Sequence, residues 1–354
     1  MGASSEATLS DEAPDAGASM PTVFLTDAID PGAERTLRCH ATVIAPREPY
    51  GLDALADFLA RSDVVVVRRR LPPGLLAECP RLRAAVRHGA GLDFIPVDEA
   101  SRCGIAVTNV PGANADCVAE HAIGLALSLC RRIAAFDRGI REGRWGDLRE
   151  AAVKLTTLGG LSAGIVGFGR IGERIAAICR DGFGMEVRAV ARPGYSEREG
   201  VSFHDLDTVM KESDVVFLAC PLTPQTAKSI GAAQLALIGP SGILVNIARG
   251  PIVDERALLA ALREGTIAGA GLDVFEDQPL SADHELKGMT NVVMTPHVAG
   301  ISQASMKAMS AVAVADTLAI LGGERPRHLA NETAWPAIRA RWDGLDRVSA
   351  DTKR

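Results

Sequence analysis

Around residue 167 an apolar stretch, Ser162-Ala-Gly-Ile-Val166, runs into Gly167-Phe168-Gly169-Arg170-Ile171-Gly172 and then into a helical pattern that continues to about Arg180. The spacing G-x-G-x-x-G means little alone and gains force where it closes a strand and opens a helix. The first glycine permits a tight turn, the second lets a pyrophosphate approach the backbone, and the third lets the helix sit close to the sheet. The helix start then offers unpaired N–H groups and the positive end of its dipole to phosphates. This segment predicts a doubly wound α/β unit with a dinucleotide loop in which Phe168, Arg170 and Ile171 lie between the glycines. A glycine-rich turn without a ligand is the alternative that this context disfavours.

The rest of the chain agrees with that architecture. Val23–Thr26, Asp63–Val67, Leu82–Val86 and Ile105–Val107 read as strands of a first unit. Asp63-Val-Val-Val-Val67 is continuously apolar, as a strand buried on both faces requires. A helical stretch covers roughly 113–136. A second series follows at Ala163–Val166, Glu186–Val190, Asp214–Leu218, Gly242–Asn246, Gly269–Leu272 and Val292–Met294. Helical segments lie between most of these strands, one starting at the N-cap candidate Asp254, so the alternation implies parallel sheets. A last helix spans about 302–321. The expected division is a leader at 1–20, a first unit at 21–117 and 301–335, a second at 118–300, and a polar peripheral tail at 336–354.

Composition narrows the function classes. Hydrophobic residues are 47% and aromatic ones 4% of 354 residues, a balance that suits helices on parallel sheets better than an antiparallel sandwich. The net charge is -6 and no long basic run occurs, so bulk electrostatics do not favour nucleic acid. The seven cysteines are odd in number and contain no Cys-x-x-Cys pair, so neither a disulfide framework nor a metal site is expected; a cytoplasmic setting is the simplest. No uninterrupted apolar run has the length of a membrane span. Residues 1–19, rich in Ala, Ser, Asp and Glu, lack the basic start and apolar stretch of a signal peptide and read as a disordered leader.

The strand after the glycine loop should end in an acid for the adenosine ribose. It ends instead in Ala191-Arg192-Pro193. Without the carboxylate, and with Arg192 available to a 2′-phosphate, this favours NADP(H) over NAD(H); a solvated Arg192 with NAD(H) is the alternative.

Two further residues stand just past buried strands, where ligands of such folds bind. Arg249 follows Val245-Asn-Ile-Ala, and His297 follows Thr295-Pro296. Reduction of a 2-keto acid needs a cation to clamp the carboxylate and polarise the carbonyl, which suits a planar guanidinium. It also needs a proton donor with a pKa near neutrality, which suits imidazole. Either residue alone would as readily be a surface arginine or a capping histidine; with the glycine loop they form a constellation.

Several runs together resemble the D-isomer-specific 2-hydroxy acid dehydrogenases, a family including phosphoglycerate, glyoxylate/hydroxypyruvate and formate dehydrogenases. They are Arg87-His-Gly-Ala-Gly-Leu-Asp93, Asn109-Val-Pro-Gly-Ala-Asn-Ala115, Val118-Ala-Glu-His121, the loop at 167–172, Pro221-Leu-Thr-Pro-Gln-Thr226, Asn246-Ile-Ala-Arg-Gly250, Gly271-Leu-Asp-Val-Phe275 and Thr295-Pro-His297. The resemblance covers roughly 60–331. It implies a flavodoxin-like substrate domain and a Rossmann domain, with the active site in the cleft between them. It implies that Arg249 binds the substrate carboxylate and carbonyl and that His297 is the general acid/base. It places substrate against the backbone N–H groups of Gly89, Ala90 and Gly91. It places cofactor near Pro221, Thr226, Ala248 and Asp273, the last beside the nicotinamide amide. It also implies a homodimer formed through the cofactor domain by the helix after residue 118.

One position departs from the family pattern. Where a glutamate pairs with the catalytic histidine, this chain has Gln278. Glutamine can orient the ring but adds no charge, so a lower His297 pKa is expected. Impaired chemistry, leaving a cofactor-binding sensor comparable to corepressors that resemble the family, is the competing reading. Arg68 ends the strand at 63–67 and is a candidate for a distal anionic group of the substrate, against the alternative of a solvated basic turn.

Overall fold

The computed structural model describes residues 20–190 and 198–351, and for residues 349–351 the backbone alone. Arg192, on which the NADP(H) expectation rests, and the leader at 1–19 lie outside the described residues. Two compact units are present. One gathers the described residues of Met1–Val86, Val97–Thr108 and Val314–Arg354; the other gathers Arg87–Pro96 and Asn109–Ala313.

The first unit is built on β1 (Thr22–Leu25), β2 (Thr42–Ile44), β3 (Val64–Val67), β4 (Ala84–Arg87) and β5 (Ala106–Thr108), in the order β2-β1-β3-β4-β5. This is the flavodoxin-like order. In parallel register, Phe24 lies opposite Val65 and Ala85 opposite Val107. All four residues of β3 are buried, as its unbroken valine run predicts.

The region expected to be a polar tail is instead a helix, Trp335–Asp351. Ile338 and Trp342 on it are fully buried. The Trp342 indole donates to the Arg83 carbonyl (3.1 Å) and its ring packs edge-on against Trp335. Few apolar residues mark this helix in sequence, because two tryptophans and an isoleucine supply most of its buried face.

The second unit carries β6 (Ser162–Val166), β7 (Glu186–Val190), β8 (Val201–Phe203), β9 (Val215–Leu218), β10 (Ile243–Asn246), β11 (Gly269–Leu272) and β12 (Val292–Met294). Their order is β8-β7-β6-β9-β10-β11-β12, every pair parallel. This is the Rossmann order with one added strand, and it reverses between β6 and β9. One face is covered by Ala115–Cys130, whose Ala119, Ala122 and Ala126 are fully buried. The helix Glu255–Glu264 begins as expected at Asp254, whose carboxylate accepts from the N–H groups of Arg256 and Ala257, and stops at Gly265.

The expected boundaries shift in one functional respect. Residues 87–96 and 109–117 group with the second unit, while 314–354 belong to the first. The helix Gln303–Leu321 is the one described helix long and apolar enough to cross a bilayer, yet Met309, Ala313, Val314 and Ile320 on it are buried within the protein.

Candidate active site

The second unit places its candidates at the C-terminal ends of successive strands. Gly167 follows β6, Pro221 follows β9, Arg249 follows β10, Asp273 follows β11 and His297 follows β12, each within three residues of the strand end. Parallel strands carry all five to one edge of the sheet, where ligands of open α/β sheets bind.

The glycine loop is shaped as its spacing predicts. Gly167 has φ of +100°, and a Cβ there would lie 2.5 Å from the Cys220 backbone on the neighbouring strand end. A Cβ at Gly172 would lie 2.2 Å from the Gly167 carbonyl oxygen, so helix and loop touch directly. Gly169 differs: a Cβ there meets nothing within 4 Å. It precedes the helix Arg170–Ala177 with no side chain capping the N-terminus. The result is an open cradle of N–H groups, which fits a pyrophosphate. Phe168 is buried, packed edge-on against Phe203, while Arg170 donates to the Pro111 carbonyl (3.2 Å). Ile171 is half-buried against the sheet core. Across the strand reversal, the Thr226 hydroxyl donates to the Pro221 carbonyl (2.7 Å) and accepts from the Thr223 N–H (2.8 Å), pinning that loop.

Arg249 is held from several sides. Its Nε and Nη2 donate to one oxygen of Asp93 (3.0 and 2.8 Å), and its Nη1 donates to the Ala248 carbonyl (2.6 Å). Asn246 shapes the turn beneath it, donating to the Arg249 carbonyl (3.0 Å) and accepting from the Ala248 N–H (3.0 Å). A guanidinium has five N–H groups. Among the described residues these bonds use three and leave one on each terminal nitrogen, the fork that a carboxylate binds in bidentate fashion. The guanidinium also occupies the space where a Cβ of residue 91 would stand, 1.9 Å from Nη2, so a side chain at 91 would displace the guanidinium from this position.

The 89–91 loop is pinned by its carbonyls. Gly89 accepts from the Val110 N–H, Ala90 from the Asn109 amide (2.7 Å), and Gly91 from Arg87 Nε (3.1 Å). Gly89 donates its own N–H to the Arg87 carbonyl. Among the described residues, the N–H groups of Ala90 and Gly91 make no hydrogen bond, leaving two adjacent donors for an anion.

His297 sits half-buried with φ of +56°, a conformation costing a non-glycine residue roughly 1–2 kcal/mol. Asp273 enforces it. One oxygen of this buried carboxylate accepts from the Thr295 hydroxyl (2.6 Å) and the Val298 N–H (2.9 Å), the other from the Ala299 N–H (2.9 Å). His121 adds a bond to the Thr295 hydroxyl (2.9 Å). The carboxylate expected beside a nicotinamide amide is thus committed to the turn that presents His297. The His297 Nδ1 pairs with Gln278 Oε1 (3.0 Å), which leaves Nε2 for proton transfer if Nδ1 carries the hydrogen of that bond. Burial and then the neighbouring Arg249 charge hold the His297 pKa below its usual value, with Asp273 and Asp93 opposing. Phe275, Leu280, Met294 and Pro296 line a cavity of about 500 Å³ reaching His297 and Gln278.

Arg249, His297, Gln278 and the 89–91 loop therefore belong to one unit, and Arg68 belongs to the other. The Arg68 guanidinium donates to the Ala28 carbonyl and its N–H to the Thr26 hydroxyl (2.8 Å). Asp93, Asn246, Thr295 and His121 carry no role in the sequence reading although they stand inside or beside the runs it singles out. Asp93 closes the Arg87–Asp93 run, the one available signal for it.

Comparison with known proteins places the chain in a family and agrees with its fold. Residues 123–299 match the family described as D-isomer specific 2-hydroxyacid dehydrogenase, NAD binding domain. The chain is 38% identical over 326 residues to the glyoxylate reductase of Pyrococcus furiosus, covering 88% of this chain and 96% of that one. It superposes on the NADPH-dependent glyoxylate/hydroxypyruvate reductase of Sinorhizobium meliloti, solved with NADP and malonate, with a TM-score of 0.76 and 32% identity over 89% of this chain and 98% of that one. The D-lactate dehydrogenase of Aquifex aeolicus, solved with NAD and lactic acid, gives 0.73 and 28% over 86% and 96%.

Proposed function

Because the chain belongs to the D-isomer specific 2-hydroxyacid dehydrogenase family and is an NAD(P)-dependent oxidoreductase, we propose that it reduces small 2-keto acids such as glyoxylate or hydroxypyruvate to the 2-hydroxy acid, the D-isomer where the product is chiral. The observation that carries this reading is Arg249, held with a terminal N–H open on each end nitrogen, in the same unit as His297, whose ring is oriented by Gln278.

Each residue then has a task. The Arg249 fork and the Ala90 and Gly91 N–H groups bind the carboxylate, and Arg249 draws charge onto the carbonyl oxygen as it becomes an alkoxide. Protonated His297 gives that oxygen its proton, and Gln278 keeps the ring oriented without adding charge. The loop at 167–172, with Pro221, Thr226 and Ala248, holds the dinucleotide, whose nicotinamide supplies or accepts the hydride. Arg192 favours NADP(H), and Arg68 receives a distal anionic group where the substrate has one. The Gln278–His297 bond favours an active enzyme over a sensor, since the ring remains held for catalysis.

A homodimer is part of the same reading. The helix Ala115–Cys130 is spent on its own core. Just beyond it Ile133, Ile140, Trp145 and Val153 are exposed, and we assign this face to a second copy. Sedimentation velocity showing a monomer at micromolar concentration would refute that assignment.

The test of function is a panel of 2-keto acids assayed with NADPH and with NADH. Turnover with glyoxylate or hydroxypyruvate and a higher kcat/KM with NADPH is the expected result. No turnover with any 2-keto acid would overturn the activity, and higher efficiency with NADH would overturn the cofactor preference alone.

A further inference from the structure

We propose that Asp93 is a positioning residue: its carboxylate fixes Arg249 so that the two terminal N–H groups remain for substrate, and it supplies beside the catalytic pair the negative charge that Gln278 does not. The inference rests on the clamp and proton-donor roles proposed above for Arg249 and His297.

The geometry is specific. A single Asp93 oxygen takes both Nε and Nη2 of Arg249, so the acid grips one edge of the guanidinium. The Ala248 carbonyl takes Nη1. Those contacts hold the guanidinium in the space that Gly91 leaves free. Both partners keep about a fifth of their side-chain surface open, 23% for Arg249 and 22% for Asp93. Removing one partner of a pair this shielded leaves the other charge uncompensated. The pair's value lies in geometry and charge.

The segment continues into the site. Phe94, next to Asp93, stands edge-on to the His297 ring at 6.2 Å and lies under the Arg87 guanidinium at 4.2 Å. Asp93 thus ties the 89–91 donors, the clamp and the imidazole into one arrangement. The charges acting on His297 are Arg249 and Arg87, which disfavour its protonation, and Asp273 and Asp93, which favour it. Lys287 lines the same cavity, and Glu276, two residues before Gln278, is paired with Lys228. Asp273 is consumed in the His297 turn. Asp93 is therefore the acid whose charge can be altered without releasing that turn.

The experiment compares Asp93→Asn and Asp93→Ala with the native protein and Arg249→Ala, reading kcat, KM, the pH profile of keto acid reduction, and NADPH affinity by fluorescence. Asparagine retains an acceptor for Arg249 and loses the charge. The alkaline limb of reduction should move down by about half a pH unit, with kcat/KM changing only a few-fold. Alanine releases the guanidinium, and kcat/KM should fall about a hundredfold through both kcat and KM, with NADPH affinity unchanged. An unmoved limb in Asp93→Asn together with near-native kinetics in Asp93→Ala would overturn the proposal, even if thermal stability fell. Full turnover by Arg249→Ala would remove the clamp itself, and the Asp93 proposal with it.

Discussion

His297 carries a cost and a dependence. Its left-handed backbone is tolerated because Asp273 binds the turn through both oxygens, and its ring is aligned by an uncharged partner. Replacing that partner by an acid should restore a charge next to the imidazole. In Gln278→Glu the His297 pKa should rise, since the negative charge favours the protonated ring. Reduction needs that protonated form, so its rate falls as pH climbs through the pKa, and the alkaline limb should move up by about one unit. A pH–rate profile identical to the native one would show that residue 278 does not govern His297. Arg249 and His297 are legible in sequence because each stands in a recognisable run just after a strand, and Gln278 because it departs from the family pattern. Asp93 as the partner of Arg249 is not, because 156 residues separate them and nothing in a linear pattern states which acid a buried arginine will meet.

At the level of elements, the glycine loop separates two kinds of constraint. Gly172 is a packing position, where a methyl group would lie 2.2 Å from a carbonyl oxygen. Gly169 opens onto empty space, so a methyl group there disturbs only a ligand. Gly172→Ala should lower stability by about 1–3 kcal/mol in a denaturant melt. Gly169→Ala should leave stability unchanged and weaken NADPH binding about tenfold in a fluorescence titration, because the pyrophosphate loses its close approach. Equal effects of the two changes on stability would contradict this division. Most strands are legible because short, mainly apolar runs alternate with helical patterns, β3 with its four valines most plainly. The exceptions are β2 and β8, three-residue edge strands with half-exposed side chains, too short to form such a run. The helix read as continuous from 113 to 136 is broken at Arg132, whose φ is +51°, a feature without a glycine or proline to announce it.

For the whole molecule, the division into two α/β units follows from the alternation of strands and helices, while its seams do not. The segment 87–96 leaves a strand of the first unit and groups with the second, since its loop packs around Arg249 and His297. The C-terminal helix belongs to the core of the first unit. Trp342→Ala should therefore cost about 3–5 kcal/mol of stability, measured by chemical denaturation, where a peripheral tail would cost nothing. Cofactor loop, clamp and proton donor stand in one unit, and 2-keto acid reduction is the chemistry proposed for them. The most direct test is kcat/KM for glyoxylate or hydroxypyruvate in His297→Ala, with NADPH affinity measured on the same preparation. A loss of about 10²- to 10⁴-fold with cofactor affinity intact is the predicted result, and turnover equal to the native protein would contradict the account.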